Sequence, residues 1–129
     1  MPESEAVTRG IRVHVESSYV PERSDRGGGS WFFVYRIRIS NEGTDRVQLL
    51  SRHWIITDST GRREEVRGPG VVGQQPILRP GGSFEYTSFC PLSTSFGTMH
   101  GTYQMVARDQ EPFDIEIAPF TLCEPFGIN

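Results

Sequence analysis

Between Gly10 and Ser17 the chain reads Ile11-Arg12-Val13-His14-Val15-Glu16, three aliphatic residues on one side and three polar ones on the other. A two-residue period of this kind is the signature of a half-buried strand. It returns along the chain. Trp31 to Ser40 places Phe33, Tyr35, Ile37 and Ile39 opposite Arg36 and Arg38, and its β-branched and aromatic content fits a pleated sheet. Val47 to Thr57 is more continuously apolar at Trp54-Ile55-Ile56, which predicts a central strand. Arg62 to Val66 is a short charged strand, and Ser83 to Phe89 alternates through Phe84 and Tyr86. Thr98 to Arg108 aligns Met99, Gly101, Tyr103, Met105 and Ala107, where Gly101 predicts close packing or a bulge. Phe113, Ile115 and Ile117 begin a last strand that runs past Pro119 to Leu122.

Turn chemistry separates these segments. Pro21 to Ser30 is polar and glycine-rich, a loop by composition, and Asn41 to Asp45 is a turn. Asp58-Ser59-Thr60-Gly61 predicts a tight hairpin, and Pro80-Gly81 suits the centre of a type II turn. Pro91 to Gly97 reads as irregular, and Asp109 to Pro112 turns the chain. No segment carries a helical period over a helical length. About seven short antiparallel strands then predict an all-β, two-sheet β-sandwich of immunoglobulin or fibronectin type III type. Residues 1–129 are expected to form one domain, with a flexible N-terminus over about residues 1–9, where no period is visible.

The decapeptide Arg67-Gly68-Pro69-Gly70-Val71-Val72-Gly73-Gln74-Gln75-Pro76 contains a G-x-G-x-x-G pattern. In a dinucleotide site these glycines lead from a strand into a helix whose N-terminus receives pyrophosphate. Here Ile77-Leu78-Arg79 alone separates Pro76 from Pro80, and Gly81-Gly82 follows. That is too short for a helix to overcome its nucleation cost. The acid expected about 20 residues on is absent too, since no Asp or Glu lies between Tyr86 and Arg108. The glycines are therefore expected to supply positive φ in a turning connection. A Walker A loop needs a lysine, and all 13 basic residues are arginine.

Other chemistry is poorly supported. Thirteen basic against 16 acidic residues, net charge −3, with scattered arginines, do not suit a nucleic-acid surface. The longest apolar run, Trp31 to Tyr35, is too short to span a membrane. The start Met1-Pro2-Glu3-Ser4-Glu5 is unlike a signal peptide, so the expected location is cytoplasmic. Cys90 and Cys123 have no metal-like spacing and are expected as free thiols. His14, His53 and His100 are far apart and fit surface or cross-strand positions rather than a metal site. His14-Val15-Glu16 spells H-x-E, but the P-C-x-x-C partner of a zinc deaminase is missing. There is no G-x-S-x-G elbow, and Cys90 has no local histidine. Glu64-Glu65 and Asp109 with Glu111 read as solvated charges, and Arg12, Arg36 and Arg38 as a possible cationic patch on an open sheet face.

Several motifs together resemble the bacterial ApaG family. These are Ser51-x-x-Trp54-x-Ile56, and Val66-x-Gly68-x-Gly70-Val71-Val72-Gly73-x-Gln75-Pro76-x-Leu78-x-Pro80-Gly81. Phe84-x-Tyr86-x-Ser88, Gly97-x-Met99-x-Gly101-x-Tyr103-x-Met105 and Phe113-x-Ile115-x-Ile117-x-x-Phe120-x-Leu122 complete the match. The resemblance implies a fibronectin type III-like sandwich. It also implies protein–protein contact, because similar domains occur in eukaryotic F-box proteins and in a DNA-polymerase-delta-interacting protein. It further implies an association with cobalt and magnesium homeostasis, which must act through a partner, since nothing in this chain spans a membrane. It supplies no catalytic residues.

The expectation is thus a non-enzymatic module without cofactor or metal, which binds an unidentified protein partner and neither nucleic acid nor membrane. Its candidate binding loop comprises Arg67, Gly68, Gly70, Gly73, Gln75 and Arg79, because loops on a rigid scaffold commonly carry recognition. The alternative is a nucleotide or dinucleoside polyphosphate held by amides of the same loop with Arg67 and Arg79.

Overall fold

The computed structural model describes residues 1–108 and 110–125. The alternating segments form strands β1 (Glu3–Thr8), β2 (Ile11–Tyr19), β3 (Trp31–Asn41), β4 (Val47–Asp58), β5 (Arg63–Pro69), β6 (Ile77–Leu78), β7 (Ser83–Leu92), β8 (Phe96–Ala107) and β9 (Phe113–Cys123). A 3-10 turn at Pro21–Arg23 is the helical element among the described residues. One sheet runs β1-β2-β3-β7 and the other β5-β4-β8-β9, with β6 paired to the start of β4. Every ladder is antiparallel.

Inward residues of the two sheets make one core, including Val13, Val15, Phe33, Ile37 and Ile39 facing Leu49, Trp54, Met105, Ile115 and Phe120. The Trp54 indole sits edge-on to Tyr35, Tyr103 and Phe120 at centroid distances of 5.5, 6.4 and 6.0 Å. The hydroxyls of Tyr86 on β7 and Tyr103 on β8 meet at 2.5 Å, a hydrogen bond across the sandwich. Burial raises both phenols above their ordinary pKa, so they stay neutral partners.

The structure adds two strands to the expected seven. The N-terminal segment, expected to be flexible, is β1, joined to β2 by the two-residue turn Arg9-Gly10 with φ of 50° and 79°. β1 also covers the edge of β9. Ser4 Oγ donates to the Ala118 carbonyl at 2.8 Å, the Glu116 amide donates to Thr8 Oγ1 at 3.0 Å, and the Thr121 amide donates to the Met1 carbonyl at 2.7 Å. A sheet edge so satisfied is closed to a further strand. The other added strand, β6, is two residues long. The stretch expected to be irregular before Gly97 is partly strand, since β7 continues to Leu92 and β8 begins at Phe96.

The expected turns form as read. Asp58–Gly61 closes through the Gly61 amide to the Asp58 carbonyl at 3.1 Å, and Gly82 donates to Arg79 at 2.7 Å with Gly81 at φ 87°. The turn expected at Asp109–Pro112 begins outside the described residues. Gly101 is a close approach, because a Cβ there would lie 2.0 Å from the His53 carbonyl oxygen. Two irregularities bend the second sheet. β4 has an extra residue, Leu50, between the pairs Leu49–Met105 and Ser51–Gln104, and β9 gains one near Pro119 between Phe120–Met99 and Ile117–Gly101.

Candidate functional site

The Leu50 bulge turns its carbonyl toward the glycine loop. That oxygen accepts the Gly70 amide at 2.8 Å and Gln75 Nε2 at 2.9 Å. The Leu49 amide donates to the Pro76 carbonyl at 3.0 Å, and Gln48 Nε2 to the Gln75 carbonyl at 3.1 Å. Between these anchors Val71 and Gln74 exchange both amide bonds, at 2.8 and 2.9 Å, around Val72 (φ 43°) and Gly73 (φ 79°). Positive φ at both central positions makes this a type I′ turn. Val71 is buried at its base, while Val72 at its tip is 52% exposed.

Each glycine has its own reason to be there. Gly70 has φ 60°, and a Cβ would come within 2.3 Å of the Gln74 carbonyl oxygen. Gly73 supplies positive φ in open space. Gly68 departs from the expectation of positive φ. It lies within β5, and the guanidinium of Arg52 lies against it, 3.0 Å from where a Cβ would be. From there Arg52 Nη1 donates to the Pro69 and Gly70 carbonyls, each at 2.9 Å.

The amides of Gly70, Val71 and Gln74 are therefore engaged in internal bonds. A phosphate cradle needs consecutive free N–H groups, and among the described residues the bracing leaves the Val72 and Gly73 amides at the tip without a backbone acceptor. Gln75 is bound to Leu50 as part of the bracing. Arg67 and Gly68 border an open polar hollow of about 560 Å³ on the outer face of the second sheet, with Ser51, His53 and Gln104. Arg79 lies apart from it, at the Pro80-Gly81 turn.

Polar groups in the hollow partner one another. Ser51 Oγ donates to Gln104 Oε1 at 2.8 Å, and Gln104 Nε2 donates to Thr102 Oγ1 at 2.9 Å. A ring nitrogen of His53 pairs with Glu65 Oε1 at 2.8 Å, and this bond is the leading cause that holds the Glu65 carboxyl below its ordinary pKa. Ser51 is thus bonded to an amide rather than to the histidine, an arrangement suited to binding and not to activating a hydroxyl.

Cys90 and Cys123 are both free. Burial pushes the Cys90 thiol up to about 12, which leaves little thiolate at neutral pH. His14 pairs with Glu3 Oε2 at 2.7 Å on the open face of the first sheet. One ligand atom each from Glu3, His14 and Glu16 lies within 4.8 Å of the others. Sequence reasoning missed this grouping because β1 was not read as a strand.

The arginines of that face are not a free cationic patch. Arg36 and Arg38 pair with Glu85 at 2.9 and 3.5 Å, and Arg12 pairs with Glu42 at 2.8 Å and with Glu5. The Arg12 hydrogen bond holds the Glu42 carboxyl below its ordinary range. No helix among the described residues is long and apolar enough to cross a membrane.

Against known proteins, a family model described as the ApaG domain matches residues 21–107. Protein ApaG of Bradyrhizobium sp. (strain ORS 278) is 54% identical over 122 residues, covering 95% of this chain and 94% of that one. Protein ApaG of Anaeromyxobacter dehalogenans (strain 2CP-C) is 56% identical over 126 residues, covering 98% and 99%. The crystal structure of the putative ApaA protein from Bordetella pertussis superposes with a TM-score of 0.86 at 50% identity over 96% of both chains.

Proposed function

For this chain, which belongs to the ApaG domain family, we propose a non-enzymatic role as a docking module that engages a protein partner through the Arg67–Pro76 hairpin. The observation that carries this reading is Val72. A β-branched residue at positive φ is an outlier of backbone geometry. Asn-Gly is the residue pair that a type I′ turn prefers, and Val72-Gly73 stands in its place with the valine exposed. Strain of this kind at an exposed apolar tip is expected where the side chain has a use outside its own fold. The hydrogen bonds to Leu50 and from Arg52 hold the tip rigid, which lowers the entropy lost on binding.

The setting we propose is the cytoplasm. The link to cobalt and magnesium homeostasis implied by the family would then run through the partner. Nucleotide binding by the same loop is the weaker reading, because three of its amides already have acceptors.

The test is affinity capture from native cells with the full chain as bait, using wild type and Val72→Asn. A specific partner recovered by wild type and lost with the variant is the expected result. Equal recovery by both would overturn docking at the turn. Titration with ATP and a dinucleoside tetraphosphate, followed at the Gly70 and Gly73 amides, addresses the other reading, and specific shifts there would favour it.

A further inference from the structure

Just beyond the hairpin, three strands of the second sheet end in register. Val47 of β4 pairs with Leu78 of β6 on one side and with Ala107 of β8 on the other, and all three residues are buried. Their neighbours therefore point to the outer face. One step inward lies the row Ile77, Gln48, Val106, as paired in the ladders. One step outward, beyond the last pairs of the ladders, the chain places Arg79, Arg46 and Arg108, of which Arg46 and Arg108 border one hollow.

Like charges brought close together are unfavourable unless a carboxylate offsets them. Among the described residues, none of the three arginines has a carboxylate within ion-pairing distance, whereas Arg12, Arg26, Arg36, Arg38 and Arg63 each do. Arg9 and Arg23 instead lie over the rings of Phe113 and Phe32. Among the described residues, exposed Asp45, the neighbour of Arg46, forms no ion pair with it. Arg46 and Arg108 flank a hollow of about 230 Å³ floored by Gln48, Ile77 and Val106. Ile77 is 48% exposed.

We propose that this hollow is a binding site for an extended acidic segment of a partner protein, with one apolar side chain over Ile77 and Val106 and carboxylates on Arg46 and Arg108. The inference rests on the docking reading above and names the chemistry of the partner. Charge complementarity selects an acidic ligand. The apolar floor favours a peptide over a phosphate, which has no use for an exposed isoleucine. The concavity favours a side chain over a flat bilayer. Arginine suits the role because its planar fork bonds carboxylates bidentately. The outer edge of β6 is unpaired among the described residues, so the segment can also run alongside that strand.

The probe is a labelled peptide of about seven residues, long enough to lie along a strand edge, with a central leucine flanked by glutamates. Its controls are the same peptide with lysines for glutamates and with alanine for leucine. Inorganic tripolyphosphate and anionic phospholipid vesicles complete the set. The acidic peptide should bind at least about tenfold more tightly than the lysine form at low salt, with the gap closing as salt rises. Alanine for leucine should weaken it, and amide shifts should centre on Gln48, Ile77 and Val106. Arg46→Glu with Arg108→Glu should reverse the charge preference. Both side chains are exposed, and an unchanged thermal midpoint checks that the double variant folds.

Equal binding of acidic and basic peptides would overturn the proposal. So would binding of tripolyphosphate with no dependence on leucine, or binding of vesicles without peptide. The two readings fail separately. Partner capture lost with Val72→Asn but kept with the double variant sinks the arginine hollow and leaves docking at the turn. Capture unchanged in both sinks docking at this end of the molecule.

Discussion

Val72→Asn should make the protein more stable. The left-handed region costs an L-residue about 1–2 kcal/mol, and asparagine tolerates it far better than valine. Val72 sits there at φ 43° with half its surface in water. Losing its partial apolar contact forfeits about 0.5 kcal/mol, so the net gain is about 0.5–1.5 kcal/mol. Gly73→Ala is the opposing control, since φ is 79° there and a Cβ meets nothing within 4 Å. It should lose about 1 kcal/mol from backbone strain alone. Urea unfolding followed by tryptophan fluorescence, from Trp31 and Trp54, measures both. With a slope of about 2 kcal/mol/M, the asparagine variant should unfold at a concentration higher by roughly 0.25–0.75 M, with unchanged slope. A lower midpoint for Val72→Asn, or no cost for Gly73→Ala, would refute the claim that the turn is strained and remove the ground for a docking role. A more stable variant that captures no partner would separate function from folding at one residue.

Gly101→Ala should be far more damaging, because its Cβ would lie 2.0 Å from a backbone oxygen of the neighbouring strand. Overpacking costs about 1–3 kcal/mol when side chains can yield, so this site should reach or exceed the upper figure; a loss below about 1 kcal/mol would show that β4 and β8 part easily. Tyr86→Phe and Tyr103→Phe should each cost about 1 kcal/mol, and a double-mutant cycle should return a coupling of similar size. Additive losses would mean the two hydroxyls at 2.5 Å do not share a bond in solution. The Thr60 hydroxyl, and then the Thr60 and Arg62 amides, hold the Asp58 carboxyl below its ordinary pKa. A depressed folded pKa gives stability that is present above the unfolded value, about pH 4, and is lost as pH falls through the folded one. Asp58→Asn should flatten the acid limb of a stability–pH curve below about pH 4, and an unchanged limb would show that the turn does not depend on the ionised form.

Much of the architecture was legible wherever apolar contrast marked a face. Val13 and Val15, or Phe33 and Ile37, alternate with charged neighbours and are buried as read. β1 escaped because its two faces, Glu3-Glu5-Val7 and Ser4-Ala6-Thr8, differ little in polarity, and because Arg9 occupies a position where asparagine would signal a hairpin. β6 is too short to show any period. In the glycine loop, positive φ was foreseeable at Gly70 and Gly73, whereas Gly68 answers to a guanidinium 16 positions earlier in the chain. The hollow between Arg46 and Arg108 is a product of pairing between distant segments, and no local window contains both.

Leu50 gives β4 something like a reading frame. Val47 and Leu49 face inward at odd positions, and Trp54 faces inward at an even one, because a single inserted residue shifts the phase between them. Deleting Leu50 would leave the composition of the strand almost untouched, yet it would ask the sandwich to bury His53 and present Trp54 to water. The same deletion would remove the carbonyl that tethers Gly70 and Gln75. One codon therefore couples the interior of the molecule to the posture of its projecting hairpin.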